Sequence, residues 1–248
     1  VAGHNKWSKI KHRKAVVDKR RGKVWTKVSK ALIVAARHGG ADPSSNITLR
    51  YAIDEARYAN MPRDTIERAI RKGAGGEDTS NYESVRYEGY APGGVAIVVD
   101  ALTDNRTRTA ADVRLAFSDA GSSLGTSGCV SYLFELLGQV FIESEGVIED
   151  SLLSLALDAG ASDVEPPAAS AQDDNEAAPW LVSATVPNYL RVREALERAG
   201  YTVLQAGLEL VPQTRVEVSG TQATALAELV EALEELDDVQ KVYTNAAE

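Results

Sequence analysis

The chain has 248 residues, 44% of them hydrophobic and 25% charged, enough to bury a core and to form more than one compact unit. A single cysteine, Cys129, excludes an internal disulfide framework, and the longest apolar stretch, residues 94–102, is far too short to span a bilayer. The net charge of −9 conceals a division: residues 1–80 hold 18 Lys and Arg against 8 Asp and Glu, a balance of +10, which leaves −19 for the rest.

The basic excess is densest at the start. Residues 1–38 contain 12 Lys and Arg, one acid (Asp18) and all three histidines. The stretch GHNKWSKIKHRKAVVDKRRGK has little hydrophobic periodicity, so alone it is expected to be extended and to order on a partner. It lacks the apolar centre of a secretory signal and reads as part of the mature fold. From Val24 the pattern turns helical, with Val24, Val28, Leu32 and Ala35 on one face until Gly39-Gly40 ends the run. Asn46 is a good N-cap for a second helix over residues 47–60, with Leu49, Ala52, Ile53 and Ala56 inward. Pro62 begins a third helix that carries Ile66, Ala69 and Ile70, and the glycines of residues 73–76 close it. Residues 1–80 therefore read as a basic segment and a small helical domain.

After a polar linker over residues 77–84 the texture changes to short β runs and helices. A buried strand at 94–102, a helix at 109–120 burying Ala110, Val113 and Phe117, and a strand at 129–134 make one βαβ unit. A matching unit lies at the far end: a strand at 215–218, a helix capped by Thr221 and running through Leu226, Leu229, Val230 and Leu233, and a closing strand at 239–243. Between them, residues 140–142, 151–159, 163–164, 181–186, 189–199 and 203–210 give the order β-α-β-β-α-β. The expected fold is α+β multidomain: an N-terminal helical domain followed by two ferredoxin-like α/β domains, one inserted in the other. The split domain takes 81–137 plus 212–248, and the insertion takes 138–211. Residues 165–179, acidic and rich in Ala and Pro, are expected to form a mobile hairpin loop.

Lys6, Lys9, Lys11, Arg13, Lys14, Lys19, Arg20, Arg21, Lys23, Lys27 and Lys30 are the residue types that neutralise a phosphate backbone. They would give strong, salt-sensitive and largely sequence-independent affinity. Trp7, set among these charges, is the candidate for stacking on a base, whereas Trp25 falls in line with Val28 and Leu32 and reads as core. His4, His12 and His38 have no cysteine or suitably spaced carboxylate beside them, so no metal site is expected. The glycines around Gly73 lack the Lys-Ser/Thr of a phosphate-binding loop and read as a helix stop. Arg106 and Arg108, within Thr103-Asp104-Asn105-Arg106-Thr107-Arg108-Thr109, admit two readings: loop capping, or contact with phosphate. Small residues at 121–128 suit close approach by another backbone. No nucleophile–base pair is visible, and Cys129 begins an apolar run, so the chain does not read as an enzyme.

AGHNKWSKIKHRKAVVDKRRGK, VAARHGGADPSSN, NMPRDTIERAIRKGAG, YEGYAPGGVAIVV, ALTDNRTRT and DDVQKVYTN together resemble the YebC/PmpR family of transcriptional regulatory proteins. The family's relatives include the mitochondrial translational activator of cytochrome oxidase I. The resemblance covers nearly the whole chain. Val1 stands where the family usually has Met, and the acidic loop after Pro166 is longer than the family pattern. A three-domain cytoplasmic protein is implied, with its nucleic-acid contacts at the matching basic positions from Lys6 through Lys30.

The reading that follows is a nucleic-acid-binding regulator of gene expression, DNA-binding and transcriptional. The alternative is a ribosome- or ribosomal-RNA-binding translation factor that assists difficult peptide bonds. The expected partners are DNA or ribosomal RNA, with no membrane, no cofactor and no small-molecule substrate. A protein-interaction scaffold built on the acidic domains is a third possibility, distinguished by partners that survive deletion of residues 1–23.

Overall fold

A computed structural model describes residues 22–75, 81–167 and 178–247. These divide into two compact units. One comprises Leu136–Glu209 with the short stretch Arg57–Asn60; the other comprises Lys23–Ala56, Met61–Glu135 and the chain from Leu210 onward.

Three helices open the second unit: α1 over residues 22–39, α2 (Ile47–Tyr58) and α3 (Arg63–Ala74). Val28, Leu32, Ala35 and Ala36 give α1 its buried face. Gly40, at φ 85°, ends α1 by donating its N–H to Ala36 O at 2.9 Å, a conformation that disfavours a side chain. Asn46 then serves both helices. Its Oδ1 accepts from Leu49 N–H at 3.0 Å to cap α2, while its Nδ2 donates to Ala35 O and Gly40 O at the end of α1. Gly75 closes α3 by donating its N–H to Arg71 O, so the glycine run here is a helix stop.

The same unit holds a four-stranded sheet of order β3-β1-β2-β9, formed by β1 (Glu83–Tyr90), β2 (Ala96–Thr103), β3 (Ser123–Leu124) and β9 (Val239–Thr244). Two helices, α4 (Arg106–Asp119) and α7 (Gly220–Glu235), cover one face. There Ile97 and Val99 meet Val113, Phe117, Leu226, Leu229 and Leu233. Ala96 and Val98 point the other way, into a smaller cluster with Val130, Phe134 and Leu210. With both faces buried, β2 is a continuous apolar run interrupted by Asp100, and not an alternating one. Asp100 accepts from Nε and Nη2 of Arg86 on the neighbouring strand β1. Two short strands, β8 (Val216–Glu217) and β10 (Ala246–Ala247), pair in parallel beside this sheet.

Sequence pattern and structure differ here. β1 falls where the polar linker was expected to end, and it pairs over its whole length with β2 as a hairpin. The expected strand at 129–134 is instead a single 3-10 turn, Ser131–Leu133, before β4 begins at Phe134. The outer sheet is therefore built on a hairpin and a distant strand, and not on two βαβ halves. The strand expected at 215–218 shortens to two residues, and α7 begins at Gly220 behind Ser219, ahead of the expected Thr221 cap.

The other unit matches its expected order. It contains β4 (Phe134–Ile142), α5 (Glu149–Asp158), β5 (Asp163–Glu165), β6 (Trp180–Thr185), α6 (Val186–Arg198) and β7 (Val203–Pro212). The strand order is β5-β6-β4-β7, the ferredoxin-like arrangement. Leu152, Ala156, Tyr189, Val192 and Leu196 bury the helices against Val140, Ile142 and Val182. Tyr189 packs closely against Gly138, where a Cβ would overlap its side chain. The loop expected to be mobile falls largely on residues 168–177, which lie outside the described residues.

Candidate nucleic-acid interface

Of the expected nucleic-acid contacts, Lys6, Trp7, Lys9, Lys11, Arg13, Lys14, Lys19, Arg20 and Arg21 lie outside the described residues, as do His4 and His12. Lys23, Lys27 and Lys30 are described, and they share one face of α1 at helical spacing. All three reach the C-terminal end of α7. Lys23 Nζ donates to Glu235 Oε2 and, at 3.3 Å, to Glu235 O. Lys27 Nζ donates to Glu234 O at 2.7 Å. Lys30 Nζ donates to Asp237 O and to Asp238 Oδ1, both at 3.1 Å, and sits over the Tyr82 ring.

This contact explains an oddity of α7. Its second half carries Glu228, Glu231, Glu234 and Glu235, followed by Asp237 and Asp238, with no basic residue in the last turn. Acids at a helix C-terminus oppose the helix dipole, and the final carbonyls there have no partner within the helix. The lysines of α1 answer both problems. They supply positive charge and they donate to the open carbonyls.

Asp238 is the second centre, and the side-chain pattern did not single it out. Its Oδ2 accepts from Arg108 Nη2 at 2.6 Å, Thr109 Oγ1 at 2.8 Å and Thr103 Oγ1 at 3.3 Å, while Lys30 holds Oδ1. Its carbonyl accepts from Leu102 N–H at 2.7 Å. Burial alone would raise the pKa of this carboxylate, but the donors from Arg108, Thr109 and Lys30 outweigh it and bring the value to about 2. The same pairing, with Asp238 first and Asp104 second, raises Arg108. Asn105 accepts from Arg108 N–H at 3.0 Å and caps α4. The loop at 103–109 is thus held by capping and ion pairing. Arg106 is the more exposed of its two arginines, 71% against 47% for Arg108, and lies 4.0 Å from the Glu83 carboxylate.

The third centre is a buried acid, Glu88. From β1 its carboxylate accepts the N–H groups of Gly128, Val130 and Ser131 at 2.8, 2.9 and 2.8 Å. Burial would raise its pKa, but these three donors bring it below the ordinary range. They also bend residues 128–131 away from any strand ladder, which is why β4 starts only at Phe134. Gly125 completes the approach by donating to Glu88 O at 2.7 Å, with its missing Cβ leaving room for Cys129 Sγ. Cys129 is a free, partly buried thiol whose pKa burial pushes up, the opposite of an activated nucleophile. Trp25 is half-buried on α1, and His38 is exposed at its end. Among the described residues there is no cluster of His, Cys, Asp and Glu able to hold a metal ion.

Fold and site together define an α+β protein of several modules, with a lysine-rich helical entry set against acidic α/β modules. A family model described as the TACO1/YebC N-terminal domain matches residues 5–76, and one described as the TACO1/YebC second and third domain matches residues 82–246. The chain belongs to the TACO1/YebC family. It is 50% identical over 246 residues to a "probable transcriptional regulatory protein" of Burkholderia multivorans, covering 99% of this chain and 98% of that one. A relative of the same description from Paraburkholderia phymatum is 50% identical over 247 residues, covering 100% and 98%. The crystal structure of a conserved hypothetical protein from Aquifex aeolicus is similar, with a TM-score of 0.80 and 43% identity over 94% of this chain and 93% of that chain.

Proposed function

We propose that this protein is a nucleic-acid-binding regulator of gene expression, acting on DNA as a transcriptional regulator. The observation that carries the reading is the separation of charge, +11 in residues 1–38 against −19 beyond residue 80. A polyanion is drawn to one end only, which favours oriented docking over indiscriminate coating. The relatives from Burkholderia multivorans and Paraburkholderia phymatum are described as probable transcriptional regulatory proteins, which supports the same class. We place the action in the cytoplasm, in keeping with the regulatory description of the relatives; no helix among the described residues is long and apolar enough to cross a membrane.

Phosphate contact is assigned to Lys6, Lys9, Lys11, Arg13, Lys14, Lys19, Arg20 and Arg21, with Trp7 stacking on an exposed base. Arg106 joins them from the α4 loop. Arg108, committed to Asp104 and Asp238, positions that loop. Residues 138–211 are proposed to act as an inserted module that takes no part in phosphate contact.

The test is a salt titration of binding to labelled duplex DNA and to a ribosomal RNA fragment. Reversing Lys9, Lys11, Arg13 and Arg20 to Glu should abolish binding. Affinity unchanged across the titration contradicts the reading, and selective retention of RNA by the native chain replaces transcription with translation as its setting.

A further inference from the structure

We propose that the C-terminal end of α7 is an internal stand-in for nucleic-acid phosphate, which holds Lys23 and Lys27 until a polyanion displaces it. The inference rests on the nucleic-acid reading above and adds a competitor built into the fold.

The geometry separates a fixed post from a releasable part. Lys30 is 16% exposed and its partner Asp238 9%, and Asp238 is further tied to Arg108, Thr103 and Thr109. Opening this end would take one of two cationic partners from a largely buried carboxylate, so it stays closed. At the other end the Lys23–Glu235 pair is 46% and 39% exposed. Exposed pairs of this kind are weak and are screened by salt. Lys27 lies between the two and donates to the helix-end carbonyl of Glu234.

What α7 presents to these lysines has the chemistry of a phosphate strand: carbonyl and carboxylate oxygens in a row, backed by the negative end of a helix dipole. Lys23 and Lys27 directly continue the basic run that ends at Arg21, so a strand tracking that run arrives at this contact. A duplex carries one charge per roughly 1.7 Å of axis and offers a denser row of anionic oxygens than Glu234 and Glu235 do. Displacement begins at Lys23 and passes to Lys27, while Lys30 keeps α1 attached. Stray short anions, unable to span both lysines, would leave the contact closed. The device thus favours extended polyanions over isolated phosphates.

The experiment uses the full chain and a labelled DNA duplex titrated over a range of KCl. Glu234→Gln with Glu235→Gln takes the carboxylate charge from the helix end, leaves the carbonyls of Glu234 and Glu235 in place, and should tighten binding severalfold. Asp112→Asn with Asp119→Asn, two exposed acids of α4, makes the same change in net charge and should alter affinity far less. Lys23→Gln with Lys27→Gln should flatten the plot of log affinity against log salt by about 2, roughly 0.9 for each lost phosphate contact. Equal effects of the two acid pairs, or an unchanged slope in the lysine pair, overturn the proposal while native binding persists. Failure of the native chain to bind DNA or RNA at all removes the underlying reading, and the proposal with it. Hydrogen exchange on the unmutated protein gives an independent check. Amides over residues 233–238 should exchange faster when DNA is bound, and unchanged or slower exchange contradicts displacement.

Discussion

Arg108 Nη2 and Asp238 Oδ2 stand 2.6 Å apart although 130 residues separate them in the chain. The pair ties the first turn of α4 to the turn after α7, and Lys30 brings α1 to the same carboxylate. Asp238→Asn keeps the shape but removes the charge that these donors face. It should lower stability by about 2–3 kcal/mol, short of the full cost of a broken buried pair because Arg108 keeps Asp104. Denaturant unfolding measures this, and a loss below about 0.5 kcal/mol would show that the centre is dispensable.

The same carboxylate sets a pH dependence. Its folded pKa, about 2, lies below the ordinary 3.8, so it stabilises the native state fully above pH 3.8. That contribution is lost as pH falls through 3.8 toward 2. The stability gap between the native protein and Asp238→Asn should therefore be constant near neutrality and close over that acid window. Glu88, also depressed, acts in the same direction. A gap that stays constant down to pH 2 contradicts the assigned role.

Glu88→Gln exchanges an acceptor of three N–H groups for an amide with a single acceptor oxygen. At least one buried donor at Gly128, Val130 or Ser131 loses its partner, at a cost of about 2 kcal/mol. The local consequence is more specific. Proteolysis within residues 121–131 should accelerate well before global unfolding does, and uniform resistance along the chain would contradict it.

Gly138→Ala places a methyl group against the buried Tyr189 ring. Overpacking there should cost about 1–3 kcal/mol and broaden the Tyr189 ring resonances, whereas a mutant as stable as the native chain would mean that α6 shifts freely.

The inserted unit was legible because each element announces itself within a few residues: alternating or continuous apolar runs for β4 and β6, helical spacing in α5 and α6. Asn46 was legible as a cap for the same local reason. β1 was not, since the charges of Arg86 and Glu88 break the apolar pattern that marks a strand. In the fold Arg86 is neutralised by Asp100 from the neighbouring strand, and Glu88 is buried by a loop 40 residues on. Residues 129–134 were read as a strand because the pattern contains the apolar residues but not the carboxylate that curls them. Lys23, Lys27 and Lys30 were read with the phosphate-binding run, and charge alone gives no sign that they meet carbonyls and carboxylates more than 200 residues away. Asp238 was hidden for the same reason: its meaning comes from Lys30, Thr103 and Thr109, which meet only in the folded chain.

The central claim is that the basic N-terminal run engages nucleic acid in cells and, through DNA, regulates transcription. Crosslinking the intact protein in cells and sequencing what is attached tests this most directly. The predicted result is recovery of discrete promoter DNA that disappears when Lys9, Lys11, Arg13 and Arg20 are reversed to Glu. Recovery of ribosomal RNA alone would contradict the transcriptional claim, and recovery of no nucleic acid would contradict the account at its root.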